Sequence, residues 1–106
     1  MTTPMFSVVM PIYNVEAYVG AAVQSVLDQT FKHFELICVD DGGSDRSIDI
    51  VRAFEDPRIR IVHQANRGLA GARNSGIAHA RGEFVALLDR DDIWDRDMLK
   101  LHYIRL

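Results

Sequence analysis

A second cysteine, a long apolar run and an excess of basic charge are all missing from this chain of 106 residues. With Cys38 alone there is no intramolecular disulfide and no paired-cysteine metal site. A thiol inside the apolar run FELICVDD therefore reads as a buried structural group. No apolar stretch approaches the roughly 18 residues that a membrane span needs. The amino terminus, MTTPMFSVVM, lacks the basic start and apolar segment of a secretory signal. The expectation is a cytoplasmic, soluble piece, with the inner face of a membrane as its peripheral location if it has one. A formal charge of -3 and a pI near 5.7 give no general attraction to nucleic acid. A polyanionic ligand has to be held locally, for instance through a metal. Also missing are the Gly-x-Gly-x-x-Gly of a dinucleotide oxidoreductase, where this chain has PIYNVEAY, and the Gly-Lys-Ser/Thr of a P-loop.

What is present is an alternation. At 48% hydrophobic and 25% charged, the chain has material for one core and is short for two domains. FSVVMPI (6 to 12), FELICVD (34 to 40), RIRIVHQ (58 to 64) and EFVALLD (83 to 89) read as strands. Between them run segments of helical period. The first is predicted to be capped by Asn14, with Glu16 in its first turn and Tyr18, Val19, Ala22, Val23, Val26 and Leu27 on the inward face. The second, capped by Ser44 or Asp45, carries Ile48, Val51 and Phe54 inward before Pro57 breaks it. The third runs from Leu69 to Ala80 with Leu69, Ala72, Gly76, Ile77 and Ala80 on one face. A fourth, DRDMLKLHYIRL, is still in progress at residue 106, which leads to the expectation of a truncated domain. Strand and helix in strict alternation predict an α/β fold, a doubly wound, Rossmann-like parallel sheet with helices on both faces.

Such sheets bind ligands at the carboxyl ends of their strands. The residues there are Pro11, Tyr13 and Asn14; Asp40, Asp41, Gly42 and Gly43; His63, Gln64, Asn66 and Arg67; and finally the cluster Asp89, Asp91, Asp92. Three carboxylates so close repel one another by about 1 kcal/mol per pair even in water. They can present oxygens to one hard divalent cation, Mg²⁺ or Mn²⁺, which then bridges a diphosphate. A solvated acidic loop is the alternative reading of the same residues. His33, His79 and His102 have no metal-ligand spacing, and Trp94 reads as a packing anchor.

The segments SVVMPIYN, SVLDQTF, ELICVDDGGSD and NRGLAGARNSGIAHARGEFVALLDRDD, in this order and spacing and followed by Trp94, resemble the amino-terminal part of a family 2 glycosyltransferase with the GT-A fold. The resemblance covers essentially the whole chain. It implies that residues 1 to 106 are the nucleotide-sugar, or donor, binding part of such a domain. The implied reaction is inverting, metal-assisted transfer of a sugar from a nucleotide-diphosphate donor, often UDP-linked, to a hydroxyl acceptor, in polysaccharide or other glycan assembly. Carried over by position, Pro11 and Tyr13 line the nucleoside, and Asp41 with Asp40 beside it recognises the base. Arg73 lies near the phosphates or base; a surface arginine on an amphipathic helix is its alternative reading. Asp89 and Asp91 match the Asp-x-Asp motif, with Asp91 or Asp92 as direct ligand of Mg or Mn and Asp89 toward ribose or metal-bound water. Gly43 departs from the family's acidic turn, which often has serine there. The general base implied on the acceptor side is a later carboxylate, beyond residue 106. A related nucleotidyltransferase would instead place a Gly- and basic-rich loop where this chain has PIYN. A non-catalytic nucleotide-binding module, lacking the acceptor half and its base, is the reading from another functional class.

Overall fold

The computed structural model describes residues 3–88 and 93–105. Eight elements alternate along them: β1 (Phe6–Ile12), α1 (Glu16–Leu27), β2 (Phe34–Asp40), α2 (Ser47–Arg52), β3 (Ile59–His63), α3 (Gly68–His79), β4 (Phe84–Leu87) and α4 (Met98–Arg105). The described strands form one parallel sheet in the order β3-β2-β1-β4. The order reverses between β1 and β4, so the chain winds outward from β1 in one direction and then in the other. Helices cover both faces. No described helix is long and apolar enough to cross a membrane.

The two central strands start and stop where the apolar runs do. Each is a buried β-branched-rich segment, and alternate side chains enter different cores. Phe6, Val8, Met10, Ile12, Leu36 and Cys38 join Val19, Ala22, Val23 and Val26 of α1, together with Val51, Trp94 and Leu99. Val9, Ile37 and Val39 face Ala72 of α3 on the other side. Burying one such side chain fully contributes roughly 1.5–3 kcal/mol, so these layers hold the sheet. Cys38 is a free, buried thiol.

Three expectations need correction. Asn14 does not cap α1. Its backbone is left-handed (φ 52°), a region asparagine tolerates, and its Oδ1 accepts from the Ser44 and Asp45 amides at 2.9 and 3.3 Å. The start of α1 is served from the β2-α2 turn: the Val15 amide donates to Ser47 Oγ and the Glu16 amide to Asp45 Oδ2. Glu16 Oε1 returns the contact by accepting from the Arg46 amide. The inward faces also differ, since Tyr18, Leu69 and Ile77 are 56%, 51% and 46% exposed. On α3 the contact face is set by Gly76, where a Cβ would lie 2.2 Å from Val9 Cγ1. That close approach turns Ala72 and Gly76 to the sheet and swings Leu69 and Ile77 to its flank. Finally, β4 is shorter than the run 83 to 89 and lies at a sheet edge, with Phe84, Val85 and Leu87 about 40% exposed or more.

The segment after the acidic cluster is tied to the end of α1. Gln29, fully buried, donates to the Ser25 and Asp95 carbonyls and accepts from the Leu99 amide. The Trp94 amide donates to Ser25 Oγ, and the Thr30 amide to the Arg96 carbonyl. On the other side of the cluster, the Leu88 amide donates to the Val9 carbonyl. Both described flanks of residues 89–92 are therefore anchored to the core. The SVLDQTF segment supplies one of the two anchors.

Candidate functional site

Strand alternation divides the acidic pair at the end of β2. Asp40 follows Cys38 toward the α1 and α2 side, whereas Asp41 follows Val39 toward α3. Asp40, expected beside Asp41 at a base, instead accepts from His63 Nδ1 at 2.9 Å. Arg52 Nη2 lies 3.2 Å from His63 Nε2. Arginine can only donate, so Nε2 accepts and the ring proton sits on Nδ1, aimed at Asp40. Asp40, His63 and Arg52 line a cavity with Asn14, Asp45 and Asp49.

Asp41 is only 2% exposed. Its Oδ1 accepts from Gln64 Nε2 at 2.7 Å and from the Arg67 amide at 2.9 Å. Its own amide donates to the Ile12 carbonyl, extending the β1-β2 pairing by one step. Gln64 is fixed in turn, because its backbone amide donates to the Asp40 carbonyl and its Oε1 accepts from the Ser75 hydroxyl. No hydrogen bond to Asp41 Oδ2 occurs among the described residues.

The turn after Asp41 needs its glycines. Gly42 has φ 81°, a left-handed backbone that costs glycine little. At Gly43 a Cβ would stand 3.0 Å from Asn14 Oδ1. The residue that departs from the familiar acidic turn is thus the one against which Asn14 packs. Asp45 then accepts from both the amide and the hydroxyl of Ser47, a contact with the Ser47 hydroxyl that holds its carboxyl below the usual aspartate range.

Pro11 is buried in β1, paired with Val39 and on the same face as Val9. Tyr13, just past β1, is 44% exposed. Arg73 follows the buried Ala72 on α3 and is half-buried, with Nε closed off from solvent. The structure therefore groups Pro11, Asp41 and the Arg73-bearing helix on one face of the sheet, with Tyr13 at the strand exit. Asp89, Asp91 and Asp92, expected at ribose and metal, lie outside the described residues. Among the described residues no group of His, Cys, Asp or Glu is arranged to hold an ion.

Sequence reasoning placed Gln64 at a ligand-bearing strand exit without a role, and it missed Ser75 and Gln29. No periodicity marks Ser75, which stands between buried Ala72 and Gly76 on α3. Nor does the sequence mark Gln29, which stands among the polar Ser25, Asp28 and Thr30 of SVLDQTF.

A protein-family model described as Glycosyl transferase family 2 matches residues 7–104. Glycosyltransferase GlyG of Streptococcus pneumoniae is 43% identical over 102 residues, covering 93% of this chain and 34% of that protein. Escherichia coli WfgD, a UDP-Glc:alpha-D-GlcNAc-diphosphoundecaprenol beta-1,3-glucosyltransferase, is 41% identical over 98 residues, covering 92% and 39%. Among solved structures, S. aureus TarS in complex with UDP superposes with a TM-score of 0.88 at 32% identity, over 93% of this chain and 31% of that one. A mannosyltransferase from Pyrobaculum calidifontis in complex with GDP-Man and Mn²⁺ gives 0.83 at 29% identity, over 93% and 31%. The chain spans about a third of the length of these curated relatives.

Proposed function

This chain belongs to glycosyl transferase family 2 and has the Rossmann-like sheet of the GT-A fold, and from that premise we propose that it is the donor-binding part of a glycosyltransferase. The donor is a nucleoside diphosphate sugar, UDP-linked by preference, and the sugar passes to a hydroxyl acceptor with inversion. The observation that carries this reading is Asp41: a carboxylate held at the carboxyl end of the central strands, with one oxygen engaged by the protein. Such an acceptor complements the imide N–H of uracil. The likeness to TarS in complex with UDP supports the same base.

In this reading Tyr13 covers the base, Pro11 lines the nucleoside, and Arg73 reaches the diphosphate. Asp40, turned to the opposite face, orders His63 and the turn instead of the base. Asp91 and Asp92 hold Mg²⁺ or Mn²⁺, with Asp89 toward the ribose. Bound there, such a cation would supply positive charge to offset that on the departing diphosphate. The acceptor oxygen attacks the anomeric carbon from the face opposite the phosphate, the carbon–oxygen bond to that phosphate breaks, and the acceptor proton goes to a base contributed from outside these 106 residues. Glycan assembly is the process such a transfer serves.

The test is calorimetric titration of UDP into the protein as its gene encodes it, with Mn²⁺ and then with chelator. Metal-dependent binding that disappears on joint Asp91→Ala and Asp92→Ala substitution is expected. Binding indifferent to chelator and to both substitutions would refute the metal assignment. Metal-dependent binding with no sugar released from any UDP-sugar would make the protein a binding module.

A further inference from the structure

We propose that Gln64, held by Ser75, is a positioning residue that makes Asp41 select uracil over guanine. The inference rests on the reading above that Asp41 meets the base. A carboxylate with both oxygens open can accept two parallel hydrogen bonds, and guanine offers two adjacent donors, N1–H and the N2 amino group. Uracil offers one, N3–H, between two carbonyl oxygens. The selection therefore turns on how many Asp41 oxygens remain available.

The structure answers through Oδ1. Gln64 Nε2 and the Arg67 amide donate to it at 2.7 and 2.9 Å, which occupies both of its lone pairs. Oδ2 alone is left for a ligand, and a single acceptor matches the single imide donor. The carboxamide could do the opposite if it turned over, since its oxygen would then face the carboxylate. The Ser75 hydroxyl donating to Oε1, together with the Gln64 amide bonded to the Asp40 carbonyl, holds it in the donating orientation. Arg67 contributes a backbone N–H that every residue but proline has. Gln64 and Ser75 are the side chains through which this preference is set.

The experiment compares UDP, GDP and inorganic pyrophosphate, each with Mn²⁺, by calorimetry on the protein as encoded and on five variants. Gln64→Met preserves volume and removes the donor; because the lost hydrogen bond lies within the protein in both the free and the bound state, UDP should weaken by less than the roughly tenfold worth of one charge-assisted hydrogen bond. GDP should weaken less or strengthen, so the UDP-to-GDP preference falls, while pyrophosphate is unchanged. Gln64→Glu, which puts a second carboxylate at Oδ1, should lower the preference further. Ser75→Ala should act in the same direction as Gln64→Met, and Ser75→Thr, which keeps the hydroxyl, should restore the wild-type ratio. Equal loss for all three ligands would overturn the proposal by making Gln64 a structural residue only. An unchanged ratio in Gln64→Met would overturn it as well, provided Asp41→Asn lowers the ratio. An Asp41→Asn variant with unaltered UDP affinity and ratio would instead refute the base-contact reading beneath it.

Discussion

Replacing Glu35 by glutamine is expected to destabilise the fold by about 2 kcal/mol without touching the candidate site. Glu35 lies in β2, near the end of the sheet opposite the ligand-bearing strand exits, and its carboxylate gathers donors from three other parts of the chain. Oε1 accepts from Arg60 Nη1 of β3 at 2.8 Å. Oε2 accepts from Ser7 Oγ of β1 and from the Arg81 amide, at 2.5 and 2.7 Å. Ser7 Oγ in turn accepts from the Gly82 amide, which fixes the entry to β4. A glutamine of the same shape must place its NH₂ against one set of donors. The cheaper choice faces Arg60, which still bonds the His79 carbonyl and is 28% exposed. One charge-assisted bond is then lost, nominally about 1.5–3 kcal/mol, and partial hydration of Arg60 keeps the cost off the top of that range. With a urea m-value of roughly 1–3 kcal/mol/M, the midpoint should fall by about 1 M.

The same carboxylate predicts a pH dependence. Burial alone would raise the Glu35 pKa, but the hydrogen bonds from Ser7, the Arg81 amide and Arg60 outweigh it and hold the group below its ordinary value. The native state therefore binds fewer protons here than the unfolded chain at acid pH, so stability rises with pH. The difference between wild type and Glu35→Gln should be constant above about pH 5. It should shrink as pH falls below the unfolded value of about 4.3 and through the lower native one. Equal unfolding midpoints at pH 7, or a difference that grows on acidification, would refute the account.

Gly76→Ala should cost about 1–3 kcal/mol in the same assay, because the new methyl meets Val9 Cγ1. Combining it with Val9→Ala should recover part of that loss, a coupling readable as a double-mutant cycle. Cys38, fully buried with its thiol pushed up to about 12 by burial, should resist a disulfide reagent at pH 8 in the native protein and react only as fast as the protein opens. Asp45→Ala removes the acceptor at the starts of both α1 and α2. It should lower stability by about 1 kcal/mol by urea unfolding, and Asp45→Asn should lose less.

The central strands and the layer order were legible because a strand buried on both faces writes itself as an unbroken apolar run. The observed bounds of β1 and β2 are those of FSVVMPI and FELICVD. The alternation of elements then left few topologies, and the family motifs, ordered along nearly the whole chain, named the fold and the family. Helix faces were less legible. Leu69 and Ile77 are hydrophobic enough to mark a buried stripe, yet the helix lies where its glycine allows the closest approach to Val9, and size lost to fit. The cap of α1 was misassigned for a related reason: Asn14 serves the β2-α2 turn while Asp45, besides its expected place at the start of α2, serves α1, and a local pattern cannot show a partner some thirty residues away.

The site divides along the same line. Residue type and strand-exit position singled out Pro11, Tyr13, Asp40 and Asp41 as candidates, since that information is local, and the family resemblance added Arg73. Which side of the sheet each acid faces, and the hydrogen bonds that engage one oxygen of Asp41, depend on β2, the β3-α3 turn and α3 meeting at one place. The amino-acid sequence by itself determined the alternation, the two-faced sheet and the family, because burial periodicity and motif order are properties of neighbouring residues. Only the tertiary structure decided which layer each of Asp40 and Asp41 meets and that Gln64 and Ser75 stand behind one of them, because packing and hydrogen bonds between distant segments exist only once the chain has folded.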